Sequence, residues 1–433
     1  MKKALFWHRR DLRFHDNAGL YRALKENESV QSVFVFDKTI LDKLPTNDQR
    51  ILFIHKAIQE LKSVYQNFGS DLKVIYGNPV IEIPKLAAEL DVSTVYTNRD
   101  YEPYAQQRDK EVFDTLKNQN IDFIGAKDHV IFEKAEVVKP DGLPYTIFTP
   151  YSRKWKEKLT DFYLSSYPTE KYAAHLRISK NPFDLPNLKE MGFEETELHP
   201  IPAPKYASKF MANYSISRDF PAVEKGTSHL GVHLRFGTIS IRELARQAAQ
   251  TNETFLNELI WRDFYQAILF HFPHSVTGSF KKQYDAILWR NNETEFQAWC
   301  EGKTGYPLVD AGMRELNATG YMHNRVRMVV ASFLTKHLLI DWKWGETYFA
   351  EKLLDFDLAS NIGGWQWASG SGCDAAPYFR VFNPTAQLEK FDKELKYVKK
   401  WVPEYGTAAY APPIVEHKMA RERVLAVYKE ALN

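Results

Sequence analysis

Short runs of β-forming residues alternate with helical stretches through the first 130 residues, and this rhythm restricts the fold more than any other feature of the chain. The β-forming runs cover residues 4–7, 30–36, 72–76, 92–97 and 121–124, and stretches such as residues 51–66 separate them. Strands that alternate with helices form a parallel sheet with helices packed against its faces. We therefore predict a Rossmann-like α/β domain at the N-terminus.

The usual phosphate-binding loops are missing from this predicted sheet. No GxGxxG follows the first β-forming run, and GxxxxGK[ST] occurs nowhere in the sequence. This absence argues against a nucleotide-dependent synthetase built on the sheet. The sheet is expected to hold an accessory ligand or none.

The chain is long enough for two domains, with 433 residues of which 44% are hydrophobic. Helical periodicity dominates its second half, where eight of the ten tryptophans lie beyond position 260. Between the halves, the sequence becomes rich in proline and loses its periodicity. We predict an α/β domain over residues 1–130, an interdomain connection over 131–205, and an all-α domain over 206–433.

Charge and cysteine content exclude several classes of protein. A net charge of +2 does not indicate a broad nucleic-acid surface, so any such site must be a local patch. Cys300 and Cys373 lie far apart without CxxC spacing, which predicts neither a disulfide framework nor a metal site. Without a signal peptide or an apolar run of membrane length, we expect a cytoplasmic protein.

Residues 355–387 combine large aromatics with turn-forming residues in a way that core strands do not. Trp365 and Trp367 are one residue apart, among glycines, acids, the amide of Asn361 and Arg380. Stacked rings need exposed π-faces, and glycines allow the backbone to approach closely. The segment therefore predicts a binding surface for a flat, polar ligand.

Two predicted helices in the second half carry polar faces. In ELIWRDFY, an acid, an indole, a guanidinium and a phenol share one face, at Glu258, Trp261, Arg262 and Tyr265. In MHNRVRMVVASFL, one face offers Asn324, Arg327 and Met328, and the opposite face is formed by Val326, Val329, Val330 and Phe333. The alternative is structural: a solvated, salt-bridged face in the first helix, and an Arg paired to an acid in the second.

A third segment, GTSHLGVHLRF, suits the start of a helix. The hydroxyls of Thr227 and Ser228, followed by Gly231, are typical of helix N-termini, where free N–H groups and the helix dipole bind phosphate. By itself this signal is weak, because many helices begin with Thr-Ser.

Taken together, the chain resembles the photolyase and cryptochrome family, and most closely the class I cyclobutane pyrimidine dimer photolyases. The resemblance spans nearly the whole chain and is carried, in order, by FWHRRDLRFHDN, GTSHL, WRDFY, TGYPLVDAGMREL and NIGGWQWASGSGCDAAPYFRVFNP. It implies a non-covalent FAD in the helical domain and light-driven repair of UV-damaged DNA. The flavin would supply the electron chemistry and the protein its position and electrostatics.

The resemblance also implies which residues hold the cofactor. An ion pair of Arg327 with Asp355 would lie beside the flavin ring, and Asn361 would face its N5 atom; with Glu258, these are the implied catalytic residues. The diphosphate side is assigned to Tyr214, Thr227, Ser228, Leu230 and Gly231. The remaining cofactor contacts are assigned to Glu258, Arg262, Asn324 and Asp357.

For the damaged DNA, the resemblance implies a pocket that receives a flipped-out dimer. Trp261 and Trp367 would be its stacking walls, Glu258 and Asn324 would contact the pyrimidines, and Met328 would line the cavity. Arg325, Arg380 and Lys390 would hold flanking phosphates. A separate chain of Trp365, Trp342 and Trp289 would carry electrons to photo-excited flavin, with Trp299 and Trp344 as packing residues.

Some alternatives stay open within the resemblance. A cryptochrome, of the signalling or the DASH type, would share the fold and the FAD, although Trp367 argues against both. Repair of (6-4) photoproducts uses two active-site histidines, whereas Asn324 and Met328 stand on the substrate face here. A second, antenna chromophore is possible, and the sequence does not choose among a folate, a deazaflavin and a flavin. We expect a monomer with no protein partner, associated with the nucleoid when bound to DNA.

Overall fold

A computed structural model describes residues 2–196, 201 and 208–432 of the chain. Pro200, Pro202 and Pro204 of the predicted connection, and the predicted domain boundary at residues 205 and 206, lie outside the described residues. The chain forms two compact units, and neither is continuous in sequence. The first comprises residues 1–133, 158–206 and 229–249, and the second comprises residues 134–157, 207–228 and 250–433.

The first unit contains a five-stranded sheet with every neighbouring pair parallel, in the order β3-β2-β1-β4-β5. Its strands are β1 Lys3–His8, β2 Ser29–Asp37, β3 Leu72–Gly77, β4 Thr94–Asn98 and β5 Asp122–Ala126. The predicted α/β sheet and all five predicted strands are confirmed. The fourth strand begins two residues later than predicted, after a turn in which Asp91 has a φ of 52°.

Both faces of this sheet are buried. Phe6 of β1 packs with the helices on one face, and Trp7, the next residue, packs with the helices on the other. This two-sided burial explains why the strands are continuous apolar runs rather than alternating ones.

The helices of the first unit are α1 Ala18–Glu26, α2 Lys38–Leu41, α3 Gln49–Asn67, α4 Pro79–Glu89 and α5 Pro103–Asn118, with α7 Asp161–Leu164, α9 Gly231–Phe236, most of α10 Ile241–Thr251 and a 3₁₀ helix at Thr169–His175.

The regular elements in the described part of the second unit are helices, joined by turns and loops, with one isolated antiparallel bridge between Val138 and Pro144. Its helices are α6 Phe148–Lys158, α8 Ser208–Ser217, α11 Glu253–His271, α12 Glu293–Cys300, α13 Pro307–Thr319, α14 Asn324–Ser332, α15 Trp342–Lys352, α16 Leu358–Ser369, α17 Pro384–Phe391, α18 Lys396–Trp401 and α19 His417–Leu432. Shorter turns are the 3₁₀ helices Pro273–Val276 and Lys282–Ala286 and a π-helical turn at Phe333–His337. No helix in the described part of the chain is long and apolar enough to cross a membrane.

Side-chain caps fix where the central helices of this unit begin. Asn252 caps α11 by accepting from the Phe255 amide at 3.1 Å, and Asp341 caps α15 by accepting from the Lys343 amide at 3.1 Å. His323 caps α14 and Asp357 caps α16 in the same way. Each cap satisfies a backbone N–H that the helix leaves without a partner. The caps therefore fix the residue at which each helix begins, and with it which side chains share a face of that helix.

Candidate functional site

Helix α16 lies at the centre of the candidate site, because it packs against α11, α14 and α15. This helix carries Asn361, Trp365 and Trp367. Trp365 is buried, whereas Trp367 is partly exposed, so the two tryptophans lie in different environments. Two of these neighbours, α11 and α14, carry the polar faces identified in the sequence.

Two adjacent glycines shape the surface of α16. A Cβ on Gly363 would lie 2.3 Å from the Tyr265 ring, so glycine is required for α16 to pack on α11. A Cβ on Gly364 would meet no heavy atom of the described residues within 4 Å, apart from its chain neighbours and its own helix backbone. Gly364 is exposed and lies one turn from both Asn361 and Trp367. A smooth, open patch of this kind fits the face of a flat ring system.

Glu346 fixes the amide of Asn361. The Asn361 Nδ2 donates to the Glu346 main-chain oxygen at 3.0 Å and to its Oε1 at 2.9 Å. Burial raises the pKa of the Glu346 carboxyl, and the bond from Asn361 opposes that rise. Because both amide hydrogens are used, Oδ1 is the atom that Asn361 can offer to a donor.

The predicted pair of Arg327 and Asp355 is present. The Arg327 Nη2 lies 2.9 and 3.1 Å from the two carboxylate oxygens, and Nε donates to the Met322 carbonyl at 2.7 Å. Burial alone would lower the pKa of the guanidinium, but the Asp355 carboxylate raises it. The cation is therefore held in place on α14, whose opposite face is buried through Val326, Val329 and Val330, as predicted.

Hydroxyl groups lie close to this pair. Thr227 Oγ1 is 3.0 Å from the Tyr321 hydroxyl, and the Arg327 guanidinium stands over the Tyr321 ring at 5.8 Å. Burial raises the pKa of Tyr321 to about 12, so its hydroxyl is protonated at neutral pH. Thr227 is thus linked through Tyr321 to Arg327 and Asp355.

The sequence misjudged how the GTSHL segment starts a helix. A helix does begin at Gly231, but its N-cap is Leu230 and no side chain caps it. Thr227 and Ser228 lie four and three residues before Gly231, respectively, and therefore do not cap this helix. They belong to the second unit, whereas Leu230 and Gly231 belong to the first, where the six-residue helix α9 ends in Gly237 at a φ of 66°.

Two further residues assigned to the cofactor are held by neighbours. Asp357 caps α16 and accepts from the Gln266 side chain at 3.1 and 3.2 Å. The Tyr214 ring packs edge-on against Phe255 at 5.0 Å, and the Arg218 guanidinium stands over it at 5.3 Å. Both side chains are therefore pre-positioned within the helical unit.

The predicted polar face of α11 is confirmed. Glu258, Trp261, Arg262 and Tyr265 are all partly exposed, whereas the residues between them, such as Leu259 and Ile260, are buried. Burial raises the pKa of the Glu258 carboxyl, and the guanidinium of Arg218, which forms an ion pair with it, offsets part of that rise. The face is salt-bridged, as the structural alternative expected, but its partner comes from the end of α8.

That ion pair is part of a row of four charges, Glu258, Arg218, Asp219 and Arg325, in which the sign alternates; we call it the charge row. The Arg218 Nε lies 3.9 Å from Asp219, and the Arg325 Nη2 donates to Asp219 at 2.7 Å. Arg325 also reaches the Met328 sulfur at 3.8 Å. The charge row brings the predicted residues of α11 and α14 together. Asn324, at the start of α14, is exposed beside them in sequence.

The predicted electron-transfer tryptophans share one core. Trp342 and Trp365 belong to the main hydrophobic cluster of the helical unit, and the partly buried Trp289 packs against it. Trp365 also meets Trp299 edge-on at 6.0 Å, and Trp299 donates its indole N–H to the Val330 carbonyl at 3.1 Å. Trp299 is therefore a packing residue that lies next to the chain.

The other residues assigned to DNA are more exposed. Trp367 contacts Phe382 at 6.3 Å, and Arg380 and Lys390 are exposed beyond α16 and on α17. The sequence prediction missed Arg218, Asp219 and Glu346. In the sequence each is a charged residue far from the predicted polar faces, and it cannot be told from an ordinary surface charge.

Known protein families match this chain in both its N-terminal and its C-terminal part. Residues 4–171 match the family model described as DNA photolyase, and residues 255–409 match that of the FAD binding domain of DNA photolyase. A deoxyribodipyrimidine photo-lyase of Synechococcus sp. is 36% identical over 98% of this chain and 96% of its own. Among solved structures, a bacterial class III photolyase from Agrobacterium tumefaciens has a TM-score of 0.87 at 32% identity, covering 100% of this chain and 98% of its own. An archaeal photolyase from Sulfolobus tokodaii has a TM-score of 0.85 at 34% identity, covering 99% of this chain and 100% of its own.

The α/β unit has no phosphate loop, and the helical unit carries an FAD-binding domain. The protein is therefore a flavoprotein in which the helices hold the cofactor. Among flavoproteins of this kind, the chain belongs to the DNA photolyase family.

Proposed function

We propose that this protein is a deoxyribodipyrimidine photo-lyase, which uses light and reduced FAD to split cyclobutane pyrimidine dimers in DNA. The observation that carries the proposal is the partly exposed face of α11. There the carboxyl of Glu258 lies one turn from the Trp261 indole and faces the guanidinium of Arg218. A hydrogen-bonding acid beside an aromatic wall suits a base taken out of the DNA stack.

The helical unit offers groups that fit FAD. Gly364 leaves room for a ring, Asn361 offers its Oδ1 as an acceptor, and Arg327 supplies a cation held by Asp355. When bound and reduced, FAD supplies the light-excited electron that cleaves the dimer. Within this unit the hydroxyls of Tyr214, Thr227 and Ser228 are assigned to the diphosphate, and further contacts to Arg262, Asn324 and Asp357.

The binding of the dimer follows from stacking and charge. Extruding a nucleotide costs a few kcal/mol, and stacking on an aromatic ring returns about 1–3 kcal/mol per base. We assign the stacking to Trp261 and Trp367, which is enough to offset the extrusion. The Glu258 carboxyl would hydrogen-bond the pyrimidine edge, and Met328 would line the pocket beside Asn324. Arg325 and Arg380 would hold phosphates, so affinity should fall with added salt.

We assign Trp365, Trp342 and Trp289 to a second task, the delivery of electrons from the surface of the helical unit. The burial of Trp342 and Trp365 and the partial exposure of Trp289 support this direction, because an external reductant can reach only an exposed end. These residues do not contact the dimer in the proposal. Repair by protein that is already reduced should therefore not depend on them.

The test is illumination of the reduced holoprotein with an oligonucleotide that carries one cyclobutane dimer, with a dark sample beside it. We expect light-dependent loss of dimers, and E258Q should reduce the yield per absorbed photon. A matched control is E253Q, because Glu253 lies on the same helix but is exposed and pairs with Lys156. A protein that binds FAD but leaves dimers intact would refute the proposal and favour the cryptochrome alternative.

An absorption spectrum of the purified protein tests for an antenna chromophore. The Sulfolobus tokodaii photolyase contains two FAD molecules, which its structure connects with a novel light-harvesting cofactor. An FAD-to-protein ratio near two would indicate a second flavin here, and a band foreign to FAD would indicate a folate or deazaflavin.

We further propose a cytoplasmic monomer that associates with the nucleoid when bound to DNA. Sedimentation with and without damaged DNA would test whether the protein is a monomer and whether it binds that DNA.

A further inference from the structure

Helix α6 is supplied to the helical unit by a segment that precedes part of the α/β unit in sequence. It runs alongside α11 and is fixed there at several points. The Trp155 indole N–H donates to Asp263 at 3.0 Å, and the Tyr151 ring lies 5.1 Å from Phe264. Trp155 and Tyr151 are both buried. The first residue of α6, Phe148, is therefore delivered to α11 by an anchored helix.

Phe148 lies flat on Trp261. The two ring centroids are 3.8 Å apart and their planes differ by 2°, so the phenyl ring covers one face of the indole. The edge of Phe264 approaches the same indole at 5.6 Å. Contacts on a face and an edge restrict rotation of the indole about its side-chain torsions. The Tyr265 ring also lies 5.5 Å from this indole, tilted by 35°. In the proposed pocket, a flipped-out base stacks on the indole face that Phe148 does not cover.

A hydrogen bond ties Phe148 to the loop after α16. The Phe148 backbone N–H donates to Asp374 Oδ2 at 3.1 Å. Asp374 has a φ of 47°, in the left-handed region that non-glycine residues adopt at a cost, and it follows the helix that carries Trp367. A carboxylate at the first turn of α6 also complements the helix dipole. Phe148 is thus linked to both helices to which the dimer walls are assigned.

We propose that Phe148 is a positioning residue of the dimer pocket, which holds the plane of Trp261 and ties that wall through Asp374 to the loop following Trp367. The proposal rests on the proposed function, since only that function makes Trp261 a dimer wall. The opposite role would be a gate, in which Phe148 occupies the place of a base and must leave. The anchoring of α6 and the bond to Asp374 favour a fixed ring.

Kinetics on FAD-loaded, reduced protein separate the two roles. F148L removes the stacked ring but keeps an apolar side chain, and we expect its KM for dimer-containing DNA to rise about fivefold, the contribution of one aromatic pair, with kcat nearly unchanged. F148Y, which restores a ring, should return KM to the wild-type value. D374G removes the acceptor at a backbone position that glycine tolerates and should also raise KM.

F162A, at an exposed phenylalanine of α7, is the matched control and should leave KM unchanged. Unchanged or tighter dimer binding by F148L would overturn the proposal.

A second measurement works without DNA. With 5-fluorotryptophan incorporated, the ¹⁹F resonance of Trp261, assigned from W261F, should shift or broaden in F148L and return in F148Y. An unaltered Trp261 resonance in F148L would refute the positioning role. If the wild-type protein repaired no dimers, the proposed function would fail, and this resonance would still decide whether Phe148 orients Trp261.

Discussion

Asn361 on α16 donates both hydrogens of its side-chain amide to Glu346 on α15, to the main-chain oxygen at 3.0 Å and to Oε1 at 2.9 Å. An amide can present either its oxygen or its nitrogen to a ligand, and the two choices have opposite effects on a donor. Glu346 makes that choice in favour of the oxygen. A carboxylic side chain that need not touch the cofactor therefore sets what Asn361 offers to it.

Replacing Glu346 by alanine should change the redox behaviour of bound FAD. Without the carboxyl acceptor, one hydrogen bond worth about 1 kcal/mol is lost and the amide can rotate, so we expect about a fivefold change in the rate at which the reduced protein reoxidises. E346Q keeps an acceptor oxygen and should stay near wild type. Anaerobic reduction followed by timed exposure to air, read from the flavin absorbance, measures the effect. E351A, at an exposed glutamate of the same helix, is the control, and equal rates in E346A and E351A would contradict the prediction.

Removing the charge of Arg218 should shift the pH dependence of repair. Burial raises the pKa of Glu258 and the guanidinium of Arg218 lowers it, so R218Q leaves the burial effect unopposed and the pKa rises further. If ionised Glu258 binds the dimer, repair by R218Q will be lost at a higher pH than in the wild type as the solution is acidified. R218K keeps the cation and should retain the wild-type profile. The measurement is the rate of dimer loss between pH 5 and 9. If R218Q and the wild type lost activity at the same acidic pH, the prediction would be contradicted.

Local periodicity predicted the elements of the fold and the faces of the site, because both depend on residues a few positions apart. The strands were found from β-forming runs, and the polar stripe through Glu258 and Trp261 from helical spacing. What could not be predicted depends on long-range contacts. Arg218, which follows α8, meets Glu258 on α11, and Phe148 contacts Trp261 although segments of the α/β unit lie between them in the sequence. The prediction that Thr227 and Ser228 start a helix was wrong for a related reason. Which residue becomes the N-cap depends on where the backbone turns, and here that residue is Leu230.

Lys336 should make the protein more stable as the pH rises above 7. Its side chain is 1% exposed, its Nζ donates to the Ser369 carbonyl at 2.8 Å and the Tyr378 carbonyl at 3.3 Å, and burial lowers its pKa to about 7. The unfolded chain holds this proton up to a pH near 10, so between these values unfolding takes up a proton. The free energy of unfolding then gains up to about 1.4 kcal/mol per pH unit from this group.

K336M removes that titration and should flatten the dependence of stability on pH between 7 and 10. Urea unfolding of the holoprotein at several pH values measures the slope, and K429M, at an exposed lysine of α19, serves as the control. A slope in K336M as steep as that of the wild type would show that Lys336 keeps its proton when buried.

Replacing Trp289 by phenylalanine should separate photoreduction from repair. Trp289 is partly exposed and packs on the core that contains Trp342 and Trp365, so it is the member of the predicted chain that an external reductant can reach. W289F should slow photoreduction of oxidised FAD at least tenfold, yet chemically reduced W289F should repair dimers at the wild-type rate, because this residue lies outside the dimer-binding set. W344F tests a tryptophan that packs on the same core without belonging to the chain, and it should alter neither rate. Slow photoreduction in W344F, or equal loss of both activities in W289F, would show that the assignment of electron delivery to Trp289, Trp342 and Trp365 is wrong. Persistence of fast photoreduction in W289F would direct attention to Trp299, whose ring already meets Trp365 at 6.0 Å.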